Sequence, residues 1–89
     1  MNAGQICVSP DYVLCHEDQV SEFVSAFSAA VEKASPTLTS NQDYTAIISE
    51  RQKQRLEGYL EDARAKGARV IPINPAGEDV SGTRKMPMT

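Results

Sequence analysis

Between Asp18 and Ala34 the apolar residues Val20, Phe23, Val24, Phe27 and Val31 recur at i, i+3, i+4, i+7 and i+11. That spacing is the stripe of one helix face. Glu17 and Asp18 stand ahead of it, where a helix N-terminus favours negative charge, and Ser35-Pro36 stops it after Lys33. The pattern predicts a helix over 18–34, with Phe23 and Phe27 as core. A second stripe, Leu56, Tyr59, Leu60 and Ala63, follows Ser49-Glu50-Arg51-Gln52. The four-residue spacing suits a capping box, in which Ser49 caps and Gln52 reaches back to the Ser49 amide. Gly67 suits the position just past the helix end, whereas Gly58 inside it costs about 1 kcal/mol relative to Ala. A helix over 49–66 is expected. Its other face, with Lys53, Arg55, Glu57, Glu61 and Asp62, reads as solvated, and Asp62 and Lys66 form a favourable i, i+4 pair.

Shorter apolar runs flank the helices. Tyr12-Val13-Leu14-Cys15 is β-branched and aromatic enough for a buried strand over 12–15. Val70, Ile71 and Ile73 predict a second strand over 68–73, an edge or an ending one because Pro72 has no donor for a ladder. Residues 1–11 and 36–44 read as loops, and 74–89 as a polar loop with nothing to tie down its Met86-Pro87-Met88-Thr89 ending. The order is strand, helix, helix, strand, an α/β unit whose helices can partly cover one another and whose natural complement is a sheet of more strands. Two strands do not make an independently stable sheet, so the chain reads as part of a larger domain.

Composition narrows the partners. The 89 residues are 40% hydrophobic with a net charge of −3, nine Lys+Arg standing against twelve Asp+Glu. Such a composition excludes simple disorder and collagen. No basic stripe exists to neutralise phosphates, so nucleic acid and anionic membranes are not expected partners. No apolar run approaches the ~20 residues of a membrane span. Two cysteines, Cys7 and Cys15, are too few for a disulfide scaffold and no signal peptide precedes them, which makes a reduced, cytoplasmic chain the expectation.

Cys7 is the candidate nucleophile. It follows Asn2-Ala3-Gly4-Gln5-Ile6, a glycine-containing loop that can bring backbone close to a substrate. A thiol needs a lowered pKa or a nearby base to react, and its sequence neighbours supply neither. On the residues alone, a lone cysteine is more often a small buried hydrophobe. Cys15, on the predicted strand, reads as a core thiol. His16 reads as a solvated strand-end histidine, since Cys7, Cys15 and His16 match no standard zinc spacing.

The wider context changes the balance for Cys7. Asn2-Ala3-Gly4-Gln5-x-Cys7, followed by Pro10-Asp11-Tyr12-Val13-Leu14, resembles the active-site segment of the aldehyde dehydrogenase superfamily. The similarity continues through Glu22-Phe23-Val24, Tyr44-Thr45-Ala46-Ile47-Ile48, Ala63-Arg64-Ala65-Lys66-Gly67-Ala68 and Pro87-Met88-Thr89. Within the superfamily, Pro-Asp-Tyr-Val-Leu and Asp43-Tyr44-Thr45 look most like the coniferyl aldehyde dehydrogenase group. The resemblance implies that residues 1–89 are part of a catalytic domain oxidising an aldehyde to an acid through a thiohemiacetal and a thioester on Cys7. It also implies NAD or NADP as hydride acceptor in the parent, with no cofactor-binding residue here. The Cys7 N–H would be one oxyanion donor, and Gly4 and Gln5 would shape the loop without a chemical step.

Several parts of the family's machinery have no counterpart in these 89 residues. They are the Glu-Leu-Gly-Gly general-base motif, the asparagine that completes the oxyanion hole, the dinucleotide-binding domain and the Glu-x-Phe-Gly-Pro segment. The chain by itself is therefore expected to be inactive, to bind no cofactor or metal, and to associate into a homo-oligomer through uncovered apolar faces. The rival reading is a free-standing, non-enzymatic helix-pair module that binds a protein partner.

Overall fold

A computed structural model describes residues 2–89, so Met1 of the first predicted loop lies outside the described residues. Two helices form where the periodicity places them. A 3-10 turn over Glu17–Gln19 leads into α1, Val20–Ala34, and α2 spans Glu50–Ala65. The Ser49 hydroxyl accepts from the Gln52 amide at 3.2 Å, satisfying one orphan donor of α2. Among the described residues the reciprocal half of the expected capping box does not form: the Gln52 side-chain Oε1 instead accepts from Arg55 Nε at 2.7 Å. At the other end Gly67 takes φ 88°. The Ala68 amide then bonds Ala63 O and the Gly67 amide bonds Arg64 O, each at 3.0 Å. This is a Schellman motif, and it needs the left-handed residue that glycine supplies. Lys66 Nζ meets Asp62 at 2.8 Å, as the i, i+4 spacing predicts.

The strand expectations are corrected. Among the described residues there is no strand, only one isolated antiparallel bridge between Ile73 and Met88, where Ile73 N donates to Met88 O at 2.7 Å. Residues 12–15 stay unpaired and exposed, Leu14 at 87%. A β-prone run becomes a strand only when a neighbour takes up its ladder groups, and these residues supply none. The helices do not cover one another either, since no Cα of α1 lies within 8 Å of one in α2.

Consequently the core lies elsewhere than the α1 stripe. Val31, Leu38, Tyr44 and Ile47 are the buried apolar residues, three of them in the connection between the helices. Phe23 and Phe27, expected as core, stack at 5.9 Å between ring centroids and remain 40% and 38% exposed. Burial along the stripe is complete only at Val31, near its C-terminal end.

Side chains hold the irregular segments. Lys85 Nζ donates to Leu38 O, Thr39 O and Asn41 O at 3.1, 3.3 and 2.6 Å. The Glu78 carboxylate accepts from the Leu38 and Thr39 amides and the Thr39 hydroxyl, so one turn is gripped on its donors and its acceptors. Lys53, expected on a solvated face, is buried instead. Its ammonium donates to Val80 O and Ser81 O at 3.4 Å and to Thr83 O. Tyr44 OH donates to Met86 O at 2.6 Å. The 74–89 segment is a loop as predicted, but a tied one. Backbone that lacks ladder partners takes side-chain partners from elsewhere in the chain.

Candidate functional site

Two consecutive tight turns present Cys7. In the first, Ala3 and Gly4 take φ 54° and 72°, and Gln5 N closes back on Asn2 O at 3.1 Å. Positive φ at both central positions marks a type I′ turn. Glycine adopts it freely, while Ala3 pays about 1 kcal/mol for its left-handed conformation. In the second turn Ser9 N donates to Ile6 O at 3.0 Å, with Cys7 and Val8 at the apex. An apex position points its own N–H outward. Among the described residues the Cys7 amide donates to nothing, and its side chain is exposed without a hydrogen bond or ion pair.

Gln5 fastens this double turn to the rest of the chain. Its Nε2 donates to Asn2 O at 3.1 Å and to Ala46 O at 3.0 Å, while its Oε1 accepts from Ile48 N at 2.8 Å. The terminal amide thereby mimics a peptide group of a neighbouring strand. On its other side the same stretch meets Arg84: Ile47 N donates to Arg84 O at 2.8 Å, and Arg84 Nη1 donates to Ile48 O at 2.7 Å. Sequence reasoning assigned Gln5 a shaping role and missed Arg84. Their partners lie 36 to 43 residues away along the chain, with no local signal to reveal them.

The other candidates resolve differently. Cys15 is exposed, so the core-thiol expectation is corrected, for the strand that would have buried it does not form. His16 is solvated but sits on no strand end; its Nδ1 accepts from Asp18 N at 3.3 Å and caps the 3-10 turn. Among the described residues no group of three or more His, Cys, Asp or Glu is placed to hold a metal ion. No helix among them is long and apolar enough to cross a membrane.

Residues 1–83 match the aldehyde dehydrogenase family. The chain is 55% identical over its whole length to a probable coniferyl aldehyde dehydrogenase of Caulobacter vibrioides, covering 19% of that protein. It is 51% identical, over 99% of its length, to the coniferyl aldehyde dehydrogenase of a Pseudomonas species, again covering 19%. A putative NADP(+) succinate-semialdehyde dehydrogenase of Mycobacterium ulcerans is 37% identical over 89% of the chain, which covers 16% of it. The chain thus spans about a fifth of the length of the coniferyl aldehyde dehydrogenases it matches. No solved structure matches it.

Proposed function

Because the chain belongs to the aldehyde dehydrogenase family, we propose that residues 1–89 form the nucleophile-bearing part of the catalytic domain of a cytoplasmic enzyme that oxidises aldehydes, coniferyl aldehyde or a similar aromatic one, to carboxylic acids. The observation that carries the assignment of Cys7 is its presentation: an exposed thiol beside an unspent backbone N–H at the apex of a restrained turn. The thiolate forms a carbon–sulfur bond to the aldehyde carbon while the carbonyl π pair moves onto oxygen. The Cys7 N–H then donates to that oxyanion, a contact of the kind worth about 2.7–4 kcal/mol.

The residues present do not fit a dinucleotide. Pyrophosphate seeks a helix N-terminus behind a glycine-rich turn. Here the first helical turns carry Glu17, Asp18 and Glu22 at one helix and Glu50 at the other, and neither follows such a turn. The NAD or NADP that the family resemblance implies is therefore held by other residues, and the 89-residue chain is inactive by itself.

The test is NAD(P)H absorbance with coniferyl aldehyde, for the purified chain and for a longer enzyme containing this segment. No turnover is expected from the chain. In the longer enzyme, Cys7→Ala is expected to lower kcat by on the order of 10⁴-fold or more. Aldehyde-dependent turnover by the 89-residue chain overturns its inactivity, and normal turnover by the Cys7→Ala enzyme overturns the nucleophile.

A further inference from the structure

Four backbone groups of residues 46–48 are divided between two side chains and one carbonyl from opposite ends of the sequence. Ala46 O and Ile48 N face the Gln5 amide, whereas Ile47 N and Ile48 O face the Arg84 carbonyl and guanidinium. The Ile47 side chain, 4% exposed, is anchored in the core between them. Gln5 spends both ends of its amide on this stretch, and its Nε2 simultaneously closes on Asn2 O. Any displacement of 46–48 is thus passed to Gln5, two residues before Cys7. Arg84 fixes the far side of that stretch, and it lies one residue beyond the portion matched by the family.

We infer that Arg84 is a positioning residue for Cys7, acting through Ile47, Ile48 and the Gln5 amide; this rests on the reading of Cys7 as the nucleophile. Arg84 touches no reacting atom. Its contribution is to hold the turn whose apex carries the thiol, and a misplacement of ~1 Å at such a group can cost ~10²-fold in rate.

Amide hydrogen exchange on the 89-residue chain, wild type, Arg84→Ala and Arg84→Lys, is the first arm. In Arg84→Ala the Gln5 and Ser9 amides are expected to exchange at least ~10-fold faster, with the α1 amides unchanged as internal reference. Arg84→Lys, which keeps a donor for Ile48 O, recovers most of the protection. Wild-type exchange at Gln5 and Ser9 while Ile47 and Ile48 accelerate overturns the inference, as does parallel acceleration of α1. In a longer enzyme containing the segment, Arg84→Ala is expected to lower kcat by ~10- to 10²-fold with KM unchanged. A change in KM alone overturns it. The exchange arm involves no chemistry at sulfur, so failure of the linkage and failure of the nucleophile assignment register separately.

Discussion

The stretch from residue 5 to residue 16 and the one from residue 74 to residue 89 reverse the usual relation between hydropathy and burial. The first contains Ile6, Val8, Tyr12, Val13 and Leu14, all at least half exposed. The second is rich in proline, glycine and charge, yet it is bonded along much of its length to Lys53, Tyr44 and the 37–41 turn, and within itself through Asn74. Apolar side chains gather only where something covers them, whereas an irregular backbone must find a partner for each carbonyl it buries. Lys53 meets that need for three carbonyls of the polar stretch, while Lys85 and Glu78 within it serve the carbonyls and the amides of the 37–41 turn. The apolar stretch, the one that carries Cys7, is held to distant parts of the chain, among the described residues, by the Gln5 amide.

The contrast can be broken most forcefully at Lys53. Lys53→Met keeps the aliphatic stem but leaves the Val80, Ser81 and Thr83 carbonyls without their shared donor. A loss of about 3 kcal/mol is expected, read as a fall in urea midpoint. Tyr44→Phe removes the donor to Met86 O and should cost about 1 kcal/mol by the same measurement.

Tyr44 also sets an alkaline limit. Burial raises its phenol above the ordinary value, outweighing the lowering by the Met88 backbone. Its contribution is therefore complete below about pH 10 and is lost as pH rises through the folded value. Tyr44→Phe should flatten that alkaline limb.

Glu78 works in the opposite direction. The Thr39 hydroxyl and the Leu38 amide hold its carboxyl below the usual carboxylate range. Stability from this group is present above about pH 4.3 and disappears as pH falls through the lower folded value. Glu78→Gln should give a shallower acid limb in pH-dependent melting.

The smallest folding effect is expected in the apolar stretch. Leu14→Lys should shift stability by less than about 0.5 kcal/mol, because Leu14 is 87% exposed. The same change should weaken self-association of the chain, followed by sedimentation at high micromolar concentration. An unchanged association constant would remove residues 12–14 from the contact.

The two helices were legible because their determinants are local. Periodicity, Ser35-Pro36, the Ser49 cap and Gly67 all act within a few residues, and the boundaries fall at or within two residues of those expected. Cys7 was legible through the motif around it, but its restraint was not, since Gln5 bonds residues 41 and 43 positions away. Lys53 was misread for a similar reason. A lysine between Gln52 and Gln54 on a charged helix looks solvated, and only the return of the chain 27 to 30 residues later gives its ammonium a ring of carbonyls. The strands failed for lack of neighbours, and the fate of Cys15, Phe23 and Phe27 failed with them.

The carbonyl-capped ammonium groups also decide how the chain meets acylating chemistry. Acetyl transfer and active-ester labelling both require an amine that the reagent can reach. Of the chain's four lysines, Lys33 and Lys66 are exposed, while Lys53 and Lys85 each direct their protons at three carbonyl oxygens. A folded chain treated briefly with acetic anhydride should therefore carry its marks on Lys33 and Lys66. Acyl groups on Lys53 would record molecules caught while open, making that lysine a chemical clock for unfolding.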